Sequence, residues 1–258
     1  MTRLESRLGA QLLRRTTRQV TLTESGRQYL EQARTAFSML GDAEREVQGS
    51  AGALTGRIRL SAPTTWGHHR LPALLAAFTR AHPEVKLELN ITNRNVDLVA
   101  EGFDLAIRLG EFADSGLVAR KLADEALCLV ASPGYLERAG IPHGLEELEG
   151  HCCLPFILPR TGRIAPWVFR DGDADIEWTA SPTVVVSDDV LGVVSLAVAG
   201  AGIAQTYDFI AREHVAQGRL VELLPHLRGR SRPFSIVYAP HRRQSAATRA
   251  LIDMFTAR

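Results

Sequence analysis

Few groups in this 258-residue chain have the types and spacing of a reactive site. His151-Cys152-Cys153 puts three soft donors in a row, but no second His/Cys cluster stands at ligand spacing, and a structural metal site wants four donors. Small thiols entering a buried strand are the expected role. His68 and His69 are adjacent, so on a helix their rings diverge by about 100°, which suits chelation poorly. Gly200-Ala201-Gly202-Ile203-Ala204-Gln205 opens like a dinucleotide fingerprint, yet it follows a helical pattern and Gln205 stands where the third glycine belongs. A helix stop and a tight turn account for its glycines. No Gly-x-Ser-x-Gly elbow is present. Asp188-Asp189 is placed to cap the helix that follows rather than to share a proton. No enzyme chemistry, metal or cofactor is expected.

What remains is binding. In Gly56-Arg57-Ile58-Arg59-Leu60-Ser61-Ala62-Pro63-Thr64-Thr65-Trp66-Gly67 a short strand stops at a proline and turns into a helix, with Ser61, Thr64 and Thr65 at the turn. A helix start leaves N–H groups unpaired and carries partial positive charge, so it suits an anionic or hydrogen-bonding ligand. Thr92 and Arg108 end the next two strand patterns. In a βαβ architecture ligands sit beyond the C-terminal strand ends, so Ser61, Thr92 and Arg108 should meet at one edge. Arg108 has an equally good surface reading, as a partner of Glu111 or Asp114. If Asp188 and Asp189 both faced the cleft they would oppose an anion.

The elements that must hold these groups alternate. Leu71, Leu74, Leu75 and Phe78 mark one helix face, closed by His82-Pro83. Val85 to Ile91 alternates apolar and polar residues, a strand with two unlike faces. A short helix is expected from Val96 to Glu101, and a buried strand from Phe103 to Ile107. Leu117–Leu122 and Ala126–Ala131 read as two strands, and Ser132-Pro133 starts a helix. Cys152–Leu158 and Val184–Ser187 read as strands, Asp188–Ala199 as a helix, and Ile203-Ala204 as the next strand's opening. Phe234–Tyr238 and a last helix carrying Leu251, Ile252 and Phe255 return to the first lobe. The pattern predicts a mainly parallel sheet with helices on both faces. Lobe I spans 56–131 and 232–258, and lobe II spans 132–231.

Ahead of this unit the chain changes character. Net charge is only +1, but residues 1–22 carry Arg3, Arg7, Arg14, Arg15 and Arg18 against the single acid Glu5, which points to a local polyanion contact. Leu4 and Leu8 end a helix at Gly9, and two short apolar pieces flank Arg14-Arg15-Thr16-Thr17-Arg18 as a hairpin would. Thr23 is a good N-cap for a helix of about six turns. Leu30, Ala33, Phe37, Leu40 and Val47 form its apolar stripe, broken by Glu44, and Gly49-Ser50-Ala51-Gly52-Ala53 follows as a hinge. Three cysteines cannot build a disulfide framework, and no apolar run approaches the ~18 residues of a membrane span. With no apolar leader after Met1, a cytoplasmic protein is expected.

The run Arg3-Leu4-Glu5-x-x-Leu8-Gly9-x-x-Leu12-Leu13-x-Arg15-x-x-Arg18-x-x-x-Leu22-Thr23-Glu24-x-Gly26 resembles the winged helix-turn-helix end of LysR-type transcriptional regulators, and the resemblance continues along the whole chain. It implies an α/β fold: a two-lobed, type II periplasmic-binding-protein-like effector domain (56–258) after a partial winged helix-turn-helix (1–23) and a linker helix with hinge (24–55). It implies double-stranded DNA held through Arg3, Arg14, Arg15, Thr16 and Arg18, and homodimers through the linker helix that pair into dimers of dimers. A small-molecule effector is expected at Ser61, Thr64, Thr65, Thr92, Asn93, Arg108, Phe156, Asp188, Gly202 and Ile203. In the family two further helices and the start of the recognition helix precede the Arg-Leu-Glu, so base reading, which those residues supply, is expected to be weakened here.

Overall fold

The computed structural model describes residues 2–15, 20–47, 53–110, 116–159, 161–181, 184–240 and 244–257. Helix α1 (Thr2–Leu8) ends at Gly9, whose φ of +63° is the left-handed conformation of a C-cap. Strands β1 (Leu13–Arg15) and β2 (Val20–Leu22) pair antiparallel, Leu13 opposite Leu22. Glu5 ties helix to hairpin, its Oε1 accepting from the amides of Leu12 (2.8 Å) and Leu13 (3.0 Å). Thr23 then caps α2 (Glu24–Val47). Its hydroxyl accepts from the Gly26 amide at 2.9 Å and donates to the Gln11 carbonyl at 2.6 Å. A Cβ on Gly26 would stand 1.9 Å from the Leu12 carbonyl oxygen, so only glycine lets the helix start against the hairpin. The motif residues are therefore the joints of this head.

Strand β3 (Gly56–Ala62) is followed by the short helix α3 (Thr64–His69), α4 (Leu71–Ala81), and β4 (Val85–Ile91), which pairs parallel with β3. Strand β5 (Leu105–Leu109) lies on the other side of β3, also parallel. Between β4 and β5 the expected helix at Val96–Glu101 is instead a set of turns. Asp97 caps them by accepting from Val99 and Ala100, and Leu98 and Phe103 pack on Ala106 and Val237. One face of this sheet is thus covered by α4 and the C-terminal helix, the other by turns rather than a helix.

The two strands expected at 117–131 are one, β6 (Val118–Ala131). Its first part pairs with β11 (below) and its last residues with β9 and β10, so a single strand passes from one half of the molecule into the other. Ser132 caps α5 (Pro133–Ala139), accepting from the Tyr135 amide. The strands expected at Cys152–Leu158 and Val184–Ser187 are reduced to isolated bridges, Cys153 to Ile203 and Phe156 to Val186. A hairpin not foreseen, β7 (Trp167–Asp171) and β8 (Ala174–Trp178), covers this half, with Trp167 opposite Trp178. Helix α6 (Leu191–Val198) starts three residues later than expected because Asp188 takes a left-handed φ of +63°.

Strand β9 (Ala204–Tyr207), α7 (Asp208–Ala216), β10 (Val221–Leu223), β11 (Ser231–Tyr238) and α8 (Ala246–Thr256) complete the chain. The strand order is β10-β6-β11-β5-β3-β4, with β9 also on β6. The sheet is mixed, not mainly parallel: β11 runs antiparallel to both β5 and β6. Ile58, Leu60, Leu105, Ile107 and Phe234 form the first core with Leu71, Phe78, Leu251 and Ile252. Leu129, Leu136, Leu148, Trp167, Phe169 and Ile203 form the second. Among the described residues no helix is long and apolar enough to cross a membrane.

Candidate functional site

A cavity of about 220 Å³ lies between the two halves. Its first wall comes from the β3–α3 turn, the end of β4 and the end of β5: Pro63, Thr65, Thr92, Asn93 and Arg108. The second comes from Leu154, Phe156, Trp167, Val190, Val193 and Gln205. Leu127, Tyr207, Arg232 and Phe234 form the floor, where the shared strand crosses. Tyr207 stands edge-on to Phe234 at 5.3 Å and stacks on Phe209 at 5.5 Å. Burial pushes its phenol up to about 12, so it stays neutral.

Of the ten residues expected to meet an effector, five line this cavity: Thr65, Thr92, Asn93, Arg108 and Phe156. Ser61 is fully buried behind Arg108, whose guanidinium donates to the Ser61 hydroxyl at 3.3 Å and to the Ile107 carbonyl at 2.9 Å. Gly202 and Ile203 are placed elsewhere. A Cβ on Gly202 would stand 2.1 Å from the Cys152 carbonyl oxygen, and Ile203 is fully buried in the second core. Both are packing residues here.

Thr64 and Asp188 take part in a latch across the cleft mouth. The Asn93 side chain accepts from the Thr64 amide (3.1 Å) and donates to the Thr64 hydroxyl (2.9 Å) and the Asp188 carbonyl (2.7 Å). Thr64 in turn donates to the Asp189 carboxylate at 2.9 Å, which also caps α6 through the Leu191 amide. The acids bind across the mouth instead of lining the cavity, and the Thr64 amide is already taken. The helix start itself is thus not an open anion site. Exchanging Asn93 for alanine removes three hydrogen bonds. Deuterium uptake at 187–193 should then rise several-fold while the β11 amides stay protected. Unchanged uptake would show that the latch restrains nothing.

Charge around the cavity is one-sided. Arg94 at its rim is held bidentately by Glu101 (2.8 and 2.6 Å), which keeps that carboxyl at about 2, well below the usual range. Arg108 is half-buried and, among the described residues, pairs with no carboxylate; Glu111 and Asp114 lie outside the described residues. Burial lowers the Arg108 guanidinium to about 10, with Arg94 adding to the effect.

The thiol and histidine candidates have structural partners. Tyr135 accepts from the Cys152 amide at 2.9 Å and meets His151 Nδ1 at 3.0 Å. Cys128 and Cys153 are buried, which pushes both thiols up to about 12, whereas Cys152 is exposed. Iodoacetamide at about pH 8 should alkylate one thiol of the native chain, Cys152, and all three after denaturation. Rapid native labelling of Cys153, read by peptide mass, would contradict this. Among the described residues no group of three His, Cys, Asp or Glu side chains could hold a metal.

In the head, Arg3 on α1 and Arg14 on β1 are exposed; Arg15 lies in β1, and Thr16 and Arg18 fall outside the described residues. On α2, Phe37 is 74% and Leu40 58% exposed, while Leu30 and Ala33 are half-buried. Val47 ends the helix.

A helix-and-hairpin head, a long helix with an apolar stripe and an α/β unit of two halves with a cavity between them define a protein with a periplasmic-binding-protein-like domain behind a separate head. Residues 51–258 match the LysR substrate binding domain family. The HTH-type transcriptional regulator CrgA of Neisseria meningitidis serogroup C is 34% identical over 252 residues, covering 97% of this chain and 83% of the relative. The solved structure of CrgA from Neisseria meningitidis superposes with a TM-score of 0.69 at 32% identity, over 99% of this chain and 85% of that one. Full-length AphB, a virulence activator of Vibrio cholerae, gives 0.68 at 28% identity, over 98% and 86%. The chain belongs to the LysR-type transcriptional regulators, a membership that favours a regulator over a small-molecule-binding module with no role at DNA.

Proposed function

We propose that this regulator reads a small molecule in the cavity beside Arg108 and passes the change in lobe angle through α2 to paired DNA heads. The observation that carries this is the cavity between two halves that share one strand and are latched by Thr64, Asn93, Asp188 and Asp189. A ligand that favours one lobe arrangement over the other shifts the population between them. The reading divides the chain at 1–23, 24–55 and the lobes 56–131 with 232–258, and 132–231. It makes the protein cytoplasmic and a sensor rather than an enzyme, since the described cavity lining offers no nucleophile–base pair. Two chains pair through Leu30, Ala33, Phe37, Leu40 and Val47, and two such dimers join on DNA.

Arg3, Arg14, Arg15, Thr16 and Arg18 face the duplex, chiefly its phosphates. Phe37→Glu with Leu40→Glu should convert a dimer to a monomer by sedimentation velocity without loss of helicity. An unchanged dimer would place the interface elsewhere. On a duplex taken from the gene's own upstream region, the Arg14→Ala exchange should lower the log K against log salt slope by about one contact. A salt slope of zero for the parent chain would remove the DNA role of this head.

A further inference from the structure

We propose that the ligand of this cleft is a compact carboxylic acid whose anion sits between Arg108 and Arg232 and whose apolar body fills the rest; this rests on reading the cleft as the effector site. The cavity lining contains three arginines and no aspartate or glutamate. Arg94 is neutralised by Glu101, but Arg108 and Arg232 form no ion pair among the described residues. A cation turned toward an apolar cavity without a counter-charge is costly, and a bound carboxylate supplies the missing partner with two oxygens for the planar fork. The acids that argued against an anion are accounted for: Asp189 is spent on Thr64 and the Leu191 amide, and Asp188 contributes only its backbone carbonyl. Neither lines the cavity.

Topology brings the two cations together. Arg108 ends β5, whereas Arg232 begins β11, which runs antiparallel with Phe234 opposite Leu109. Both arginines therefore reach the same edge of the sheet. The rest of the lining sets apolar Leu127, Leu154, Phe156, Trp167, Val193 and Phe234 beside the uncharged polar side chains of Thr65, Thr92, Asn93 and Gln205. At about 220 Å³ the space is below the ~300–1,000 Å³ of drug-sized sites, so the body must be small. Tyr207 remains a neutral hydroxyl donor beside the anion.

The test is calorimetric titration of the intact chain with benzoate, cyclohexanecarboxylate and pentanoate, each against its primary amide. At least one acid should bind about tenfold or more tightly than its amide. Arg108→Gln and Arg232→Gln should each shrink that acid-to-amide ratio toward one, and Arg108→Lys should keep part of it. Circular dichroism confirms that each variant is folded. If no acid is preferred over its amide, a panel without binding up to about 10 mM included, the carboxylate assignment falls. Ala165→Trp, which fills the cavity, separates the two ideas. Amide binding lost in this variant leaves the cleft as sensor with a neutral ligand, whereas binding that survives it overturns the cleft reading as well.

Discussion

Replacing Gly202 by alanine should destabilise the protein by about 3–5 kcal/mol, among the largest single-residue effects available in it. The reason is steric rather than conformational. Its φ lies outside the left-handed region, but a Cβ would stand 2.1 Å from the Cys152 carbonyl oxygen and 3.0 Å from its carbon. Backbone cannot rotate aside as a side chain can. Relief means separating the two segments, and that stretches the bonds from the Ile203 amide to the Cys152 carbonyl and from the Leu154 amide to the Ile203 carbonyl, both 2.8 Å. Overpacking costs about 1–3 kcal/mol and each buried hydrogen bond about 1 more, against a total stability of roughly 5–15. Urea unfolding should show the midpoint falling sharply. Gly150→Ala is the control, since a Cβ there meets nothing within 4 Å, and it should be neutral or slightly stabilising. Equal midpoints for the two variants would refute the packing account. A Gly202→Ala protein of normal stability that had lost ligand binding would instead restore Gly202 to the site.

That outcome bears on what a sequence discloses. Gly202 invited a ligand reading because glycine marks any place where backbone comes close to something, and the sequence does not say whether that something is a ligand or another strand. The head was legible because its signals are local. Glu5, Thr23 and Gly26 each act on backbone groups within fourteen positions of themselves. The β3–α3 turn was legible for the same reason, with Pro63 breaking a strict alternation.

The floor of the cavity was not legible. The rule that ligands lie beyond C-terminal strand ends assumes parallel strands, and it points to Thr92 just past β4 and Arg108 at the end of β5. Arg232 and Phe234 stand at the start of an antiparallel strand, where the rule does not look. Strand β6 misled for a related reason. Asp124 and Glu125 in its middle read as a break between two strands, because a partner far along the chain neutralises Glu125. The β7–β8 hairpin did carry a signal, Asp171-Gly172 between alternating runs, with Gly172 at φ +55°.

The Arg70–Glu125 pair leads to the second large effect: Arg70→Met should cost about 2–3 kcal/mol. Glu125 is only 7% exposed, on the strand that both halves share. Its two oxygens receive Arg70 Nε at 3.1 Å and Nη2 at 2.9 Å, and the same guanidinium lies 4.6 Å over the Phe209 ring. One side chain between α3 and α4 thus joins the first lobe's helices to β6 and to α7. Removing one partner of a buried pair costs about 3–5 kcal/mol because a desolvated charge is left behind. The Arg70 side chain is 43% exposed, so water can reach that carboxylate and the cost is discounted accordingly. At about 2–4 °C per kcal/mol the melting temperature should fall by roughly 4–12 °C. A double-mutant cycle isolates the pair: in a Glu125→Gln background, Arg70→Met should cost less by about 1–2 kcal/mol. Full additivity would mean that the arginine stabilises through the Phe209 ring alone. The cycle should also show in the latch, since Arg70 ends the short helix that begins at Thr64. If the pair fixes that helix against β6, Arg70→Met should raise deuterium uptake at 187–193 as Asn93→Ala does, although the two residues share no contact.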